Sequence, residues 1–146
     1  MGTEPGQSGE EVDEGGTEQP PAIRELNRGV LHPAGGRSVA DFAEVFETLG
    51  HPARIGVLYT LLEREECTYS ALSRALDAED NELNHHLRRV VESPLVRKTP
   101  STDDGRKSIY RLTRTGVRIT EYVVEMMETE RDAIEDEYLD AEHTDS

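Results

Sequence analysis

The sequence predicts a mainly α-helical domain with one small β-hairpin, an α+β fold. Two observations support this prediction. Apolar residues recur at steps of three and four in successive stretches between residues 38 and 134, the period of helices that bury one face. Between the last two stretches, two short runs of β-tolerant residues flank a polar loop at 101–105.

The first two predicted helices have clear start signals. Ser38 can cap the first helix together with Asp41, and Gly50 provides a stop. Its apolar stripe is Val39, Phe42, Phe46 and Leu49. Pro52 begins the second helix at a position where its missing amide hydrogen costs little, with His51 as a cap or core residue. The stripe expected to be buried here is Ile55, Leu58, Tyr59 and Leu62.

Two further helices are separated by the polar turn 77–80. Thr68 is expected to cap a helix that ends at Leu76 and turns Leu72, Ala75 and Leu76 inward. The next helix begins at Asp80 or Asn81 and ends before Pro94, which disfavours helical backbone at the preceding residue. Its inward positions are Leu83, Leu87, Val90 and Val91. The pair is predicted to form a helix-turn-helix, whose second helix is long enough to lie in a DNA major groove.

The hairpin that follows is predicted to form a wing with a basic tip. Residues 101–104 are Ser, Thr and Asp, types whose side chains bond nearby backbone amides, and Gly105 is expected to supply a positive φ. Arg106 and Lys107 then place two cations at the tip. The complete prediction is a winged helix-turn-helix with four helices, a two-stranded wing and a C-terminal dimerisation helix.

The apolar stripe of the last helix is longer than one small domain can cover. Pairing with a second copy would remove its apolar side chains from water, so the sequence predicts a homodimer. The expected interface is Phe42, Ile119, Tyr122, Val123, Met126, Met127 and Ile134. From Glu130 onward the sequence has eight acidic residues and one arginine, and the last residues are expected to fray.

Three segments result from these patterns. Residues 1–37 are predicted to be a disordered acidic N-terminal tail, because they contain too few apolar groups to offset the entropy of ordering, although 22–31 could form a transient helical turn. Residues 38–128 form the winged-helix domain, including the start of the dimer helix. Residues 129–146 are its end and an acidic C-terminal tail.

Charge is distributed unevenly along the chain. The formal net charge is −15, yet 81–118 holds nine basic and four acidic residues, a balance of +5, whereas the other 108 residues hold seven basic and 27 acidic ones, a balance of −20. An acidic body with two lysines and no tryptophan suggests adaptation to molar salt, where the Debye length is roughly 3 Å and carboxylates repel little. The alternative is an ordinary acidic protein with disordered acidic tails.

Several function classes find no support in the sequence. It shows no Gly-rich phosphate loop, nucleophile motif or pocket-forming carboxylate cluster, so we expect neither an enzyme nor a cofactor. Cys67, the one cysteine, cannot form an intrachain disulfide, and no apolar run approaches about 18 residues. A cytoplasmic protein without membrane contact is therefore expected.

Three separated motifs resemble the winged-helix repressors of the ArsR type. These are FETLGHPARIGVLYTLLE at the junction of the first two helices, NHHLRRVVESPLVRK in the recognition helix and first wing strand, and GRKSIYRLTRTG in the second strand. The resemblance covers roughly Ser38 to Met127. It implies a winged-helix DNA-binding homodimer, and the strongly acidic composition makes this chain look like a haloarchaeal variant.

The resemblance also implies roles for single residues. Asn84 occupies the place of the family's serine, His86 matches its histidine, and Arg106 matches a basic wing-tip residue that reaches toward the minor groove. Pro94 replaces the usual glycine. Metal-sensing members carry Cys-x-Cys, but here Tyr69 follows Cys67 at the second position, and no histidine lies between 113 and 142, so no metal is expected.

Double-stranded DNA is accordingly the predicted partner, and a small-molecule effector is left open. The predicted contacts are Thr68, Asn81, Asn84, His85, His86, Arg88, Arg89, Arg106 and Lys107; asparagine suits adenine and arginine suits guanine or phosphate. The alternatives are a solvated helix face, a winged-helix module that binds protein instead of DNA, and a regulator gated by the Cys67 thiol. A metal pair at His85 and His86 is disfavoured, since neighbouring helical residues point about 100° apart.

Overall fold

The computed structural model describes residues 19–32 and 36–145. Residues 1–18 and 33–35, where disorder is predicted, lie outside the described residues. The described part of that tail forms helix α1 (Pro21–Glu25), which continues as a π-helical turn (Leu26–Val30) where only a transient turn was predicted. Asn27 Oδ1 accepts a hydrogen bond from the Val39 amide at 2.9 Å.

Mainly helical structure with a small antiparallel sheet confirms the predicted winged helix-turn-helix. The helices are α2 (Val39–Thr48), α3 (Pro52–Arg64), α4 (Tyr69–Leu76), α5 (Asp80–Glu92) and α6 (Arg114–Asp145). The strands are β1 (Cys67–Thr68), β2 (Val96–Pro100) and β3 (Ser108–Leu112). The described residues up to Glu44 form one compact unit, and those from Val45 onward form another.

Three predicted helix caps are present. The Ser38 amide donates to Asp41 Oδ2 at 2.9 Å and the Asp41 amide donates to Ser38 Oγ at 3.2 Å. His51 Nδ1 accepts from the Ala53 amide, and Thr68 Oγ1 accepts from the Ala71 amide. The expected cap of α5 at Asp80 or Asn81 is wrong, because Glu79 takes the N-cap position without a side-chain bond.

The sheet contains a strand that the sequence did not predict. Its order is β1-β3-β2 in the described part of the chain, with Cys67 opposite Tyr110 and Val96 opposite Leu112. Because β1 is only two residues long, its sequence cannot show the alternation of apolar and polar residues that predicts a strand. It attaches the connection between α3 and α4 to the wing.

The core differs from prediction in which face two helices bury. Buried apolar residues come from every helix and strand between α2 and β3: Val45, Val57, Leu58, Leu61, Cys67, Leu72, Leu83, Leu87, Val90, Leu95, Val96 and Tyr110. Phe46 and Tyr59, both predicted to be inward, are exposed, and Val45 and Leu61 are buried instead. Both helices carry apolar residues on adjacent faces, so periodicity alone does not decide which face packs inward.

The wing tip uses side-chain turn chemistry, as predicted, but without a positive φ at Gly105. Ser101 Oγ accepts from the Asp103 and Asp104 amides, and Asp104 Oδ1 accepts from the Arg106 amide. Among the described glycines, positive φ occurs at Gly36. The tip is therefore shaped by its carboxyl and hydroxyl groups.

The start of α6 is fixed against the exit of α5. The Thr113 hydroxyl donates to the Pro94 carbonyl at 2.6 Å, and the Thr113 amide donates to the Leu95 carbonyl at 2.9 Å. Gly116 is buried, and a Cβ there would collide with the Leu95 carbonyl oxygen. Helix α6 then stays helical to Asp145, where fraying was predicted.

Candidate nucleic-acid interface

Four of the predicted contact residues share the exposed face of α5. Asn81, Asn84, His85 and Arg88 are all exposed, at steps of three, one and three residues, which places them on one side of the helix. The opposite side carries Leu83, Leu87 and Val90 into the core. Amide, imidazole and guanidinium groups therefore point to solvent from the second helix of the helix-turn-helix.

The wing stands beside this face and forms a concave surface with it. One concavity of about 470 Å³ is lined by Thr68, Tyr69, Ser70, Asn84, Lys98, Arg106, Lys107, Ser108 and Tyr110. A second, of about 320 Å³, is lined by Asn84, Leu87, Arg88, Val91, Glu92, Lys98 and Tyr110. The structure thus brings Thr68, Asn84, Arg106 and Lys107 around one surface, with Arg88 adjoining it.

Lys98 is the cation that the sequence interpretation missed. It is exposed on β2, lines both concavities, and lies with its Nζ 5.9 Å from the centre of the Tyr110 ring. The available signal was its position: a basic residue on the strand that directly follows the recognition helix.

Two of the arginines predicted to contact DNA, Arg89 and Arg106, differ in their exposure to solvent. The Arg106 side chain is 93% exposed at the wing tip, within 3.5 Å of Asp104 Oδ1. Arg89 is half-buried and forms an ion pair of 3.8 Å with Glu47 of α2. Arg106 is therefore the more available of the two to a partner's phosphates.

His86 does not lie on the exposed face, although it was predicted to contact DNA. It is 4% exposed, and its Nδ1 accepts a hydrogen bond from Arg54 Nε at 3.2 Å. The His51 ring is stacked at a tilt, with centroids 4.2 Å apart. Arg54 also donates to the Glu47 and Thr48 carbonyls, each at 3.4 Å. His86 thus ties α5 to Arg54 of α3 and, through Arg54, to the end of α2.

This histidine is expected to make folding stability depend on pH. Burial lowers the pKa of His86, and charge on His51, Arg54 and His85 lowers it further, while Glu82 opposes them. The unfolded chain then takes up the proton first, so stability is complete above about pH 6.5 and falls as the pH drops below it. Urea unfolding at about pH 7.5 and about pH 5.5 measures the loss.

The matched variant for this prediction is His86→Gln, which removes the titrating group and keeps an acceptor. Its stability should fall less between the two pH values than that of the wild type. An equal fall in both proteins would show that other groups are responsible.

Helix α5 has a second tie, to α4. Tyr69 Oη donates to Asp80 Oδ1 at 3.2 Å and lies 3.4 Å from the Asp80 carbonyl oxygen. Asp77, in the turn between the two helices, adopts a left-handed conformation with φ of 49°. The turn and this exposed hydrogen bond therefore connect the start of α4 to the start of α5.

Cys67 is a buried thiol on β1. It is 4% exposed, and burial raises its pKa although Arg64 acts in the opposite direction. The thiolate is the reactive form of cysteine, so a raised pKa disfavours oxidation chemistry. This environment gives the thiol-gated alternative no support.

Neither a metal site nor a membrane span emerges within the described ranges. Among residues 19–32 and 36–145, no group of three or more His, Cys, Asp or Glu side chains is placed to hold a metal ion. In the same part of the chain, no helix is both long and apolar enough to cross a bilayer.

The predicted dimer residues divide into two groups. Phe42, Ile119 and Val123 are half-buried. Tyr122, Met126, Met127 and Ile134 are between 49% and 66% exposed on α6. Tyr138 and Leu139, which the sequence interpretation omitted, are also exposed on α6, by 71% and 58%, and Tyr138 extends this apolar surface.

Comparisons with known proteins agree with this fold. Residues 42–123 match the model of a family described as a domain of unknown function (DUF7347). A transcriptional regulator homologue from Pyrococcus horikoshii OT3 is 21% identical, with a TM-score of 0.54 over 66% of this chain and 98% of that one. No curated protein matches the chain.

Two further solved structures are similar. ZitR of Lactococcus lactis, in apo form, is 19% identical with a TM-score of 0.54, over 69% of this chain and 81% of that chain. Reduced AbfR bound to DNA is 26% identical with a TM-score of 0.51, over 71% and 78% of the two chains.

Proposed function

The chain belongs to the family described as a domain of unknown function (DUF7347), and we propose that it is a sequence-specific DNA-binding transcriptional regulator. The observation that carries this proposal is the concave surface between α5 and the wing, where amide groups and cations converge. Similar structures include a transcriptional regulator homologue and a DNA-bound protein, AbfR. In this proposal residues 38–128 are the DNA-binding domain.

The proposal gives a role to each group of exposed side chains. Asn81 and Asn84 suit adenine edges, and Arg88 suits guanine or a phosphate, because helix α5 would lie in the major groove. Arg106 and Lys107 at the wing tip would reach backbone phosphates or the minor groove. Thr68, at the start of α4, would face a phosphate, while His86 is left out as a contact because it is buried.

We further propose a homodimeric repressor of the ArsR type. Two copies paired through α6 would present two recognition helices to half-sites about 34 Å apart, one turn of the duplex. Each copy adds its own α5 and wing to the contact with DNA.

The charge distribution suits DNA binding in a salt-rich cytoplasm. The segment 81–118 carries +5 on a body of −20, so positive charge is concentrated in the part of the chain that contains α5 and the wing. Phosphate contacts weaken as salt rises, since each counterion released from the DNA gains less entropy when the surrounding salt is more concentrated. Base contacts would therefore supply most of the specificity at molar potassium.

The test is DNA selection followed by titration. Purified protein would select duplexes from a random pool at about 2 M KCl, a concentration that screens non-specific attraction. Fluorescence anisotropy then compares variants on the selected duplex. Arg88→Ala, with Arg106→Ala added, should weaken binding by roughly 10- to 100-fold.

The matched control is Arg131→Ala, which removes an exposed arginine from the distal part of α6. Its affinity should equal that of the wild type. If no duplex is enriched, or if the Arg88 and Arg106 changes have no effect, the DNA proposal fails. A protein-binding module would then account better for the basic face.

A further inference from the structure

Two glutamates lie in the middle of the apolar face of α6. At about 100° per residue, the exposed large apolar side chains from Tyr122 to Tyr138 fill a sector roughly 160° wide, and Glu130 and Glu137 lie within about 20° of its centre. Both glutamates are exposed in the protomer. They are seven residues apart, which is close to two helical turns, so they lie on the same side of α6.

A second copy of the chain is the binding partner that best fits this apolar face. The stripe is continuous with Ile119, which packs against the domain core, so it leads directly from the folded domain along the helix. Its exposed members are large tyrosine, methionine and isoleucine side chains, a composition that can pack against itself. A two-fold symmetric dimer brings the same patch of both copies together, so the apolar stripe of each copy is buried against that of the other.

We propose that α6 joins two copies of this chain through this face, and that Glu130 and Glu137 make the dimer depend on salt. The inference rests on the homodimer of the proposed function. The symmetric contact draws four carboxylates into one interface, where they lose hydration and repel one another. Raising the salt from about 0.1 M to about 1 M shortens the Debye length from about 10 Å to about 3 Å and weakens that repulsion.

The direction of the salt effect distinguishes a dimer of this chain from a complex with a basic partner protein. A basic partner protein would be attracted to Glu130 and Glu137, and its complex would weaken as salt rises. A self-pair with carboxylates at its centre should instead become tighter. Assembly of the regulator would then follow the ionic strength of the cell.

Sedimentation equilibrium of the full chain, without DNA, tests the proposal. At about 2 M KCl the wild-type dimer should be at least about tenfold tighter than at about 0.2 M. The double variant Glu130→Gln with Glu137→Gln should be tight at both concentrations, with a change below about threefold. Glutamine keeps the size and polarity of each side chain and removes only its charge.

The control is Glu121→Gln with Glu128→Gln, two exposed glutamates that are also seven residues apart but lie on the opposite side of α6. It removes the same net charge and should keep the salt dependence of the wild type. A control that tightens the dimer as much as the first pair would assign the effect to overall charge and overturn the proposal. A wild type that stays monomeric at about 2 M KCl, or a dimer indifferent to salt, would overturn it too.

Because the assay contains no DNA, its outcome is independent of the DNA titration. A salt-tightened dimer that selects no duplex would refute the DNA proposal and leave the interface standing. A protein that selects DNA but dimerises equally at all salt concentrations would do the reverse.

Discussion

Replacing Gly116 by alanine is expected to lower the free energy of unfolding by about 4 kcal/mol. The added methyl group would collide with the Leu95 carbonyl oxygen, which already accepts the Thr113 amide. Backbone cannot move aside as a flexible side chain can. The start of α6 must shift, and the bond from Thr113 to Pro94 would be strained or lost.

Gly105→Ala is the matched control for this prediction. Gly105 lies at the wing tip with no atom within 4 Å of an added Cβ and without a positive φ. Its replacement should change stability by less than about 0.5 kcal/mol, as surface substitutions usually do. Urea denaturation of the three proteins at constant salt measures both values. Similar stability of Gly116→Ala and the wild type would show that α6 can begin in another way.

Replacing Arg54 by alanine is expected to cost about 3 kcal/mol, the second largest effect. Three acceptors lose the Arg54 donor at once: His86 Nδ1 and the carbonyls of Glu47 and Thr48, although the Glu47 carbonyl still accepts from the Gly50 amide. His86 and Thr48 are both buried, so water cannot readily replace the lost hydrogen bonds. Helix α5 loses its link to α2 through Arg54 and keeps the ion pair from Arg89 to Glu47. DNA affinity should fall together with stability.

Arg54→Lys separates charge from geometry. Lysine keeps the positive charge, but it lacks the planar fork that reaches several acceptors, so about half of the loss should remain. Arg131→Ala, on the distal part of α6, should leave stability unchanged. The same urea titrations measure these variants, and anisotropy on the selected duplex shows whether affinity falls. Full stability in Arg54→Ala would mean that the packing of α5 alone places His86.

Local chemistry accounts for the part of the fold that the sequence predicted. The caps at Ser38, His51 and Thr68 depend on residues within three positions, so the sequence contains all the required information. The wing was predicted for the same reason, since its strands and loop are contiguous. Its tip is shaped by Ser101 and Asp104, whose bonds also span only a few residues.

Contacts between distant residues account for what was missed. The strand at Cys67 forms because Tyr110 pairs with it, 43 positions away. The buried His86 accepts its hydrogen bond from Arg54, 32 positions earlier, and no helical period reveals that partner. The choice between Val45 and Phe46 as the buried residue of α2 likewise depends on which side the later helices approach.

The wing sheet also governs how the molecule can self-associate. Its two edges are β1 and β2, and an open edge strand can recruit a strand from a neighbouring molecule. Here β1 is only two residues long, while β2 carries Arg97 and Lys98 and ends in Pro100, which has no amide hydrogen to donate. Strand exchange and fibril growth through the wing are thereby disfavoured, even in molar salt, where charge alone gives little protection against aggregation.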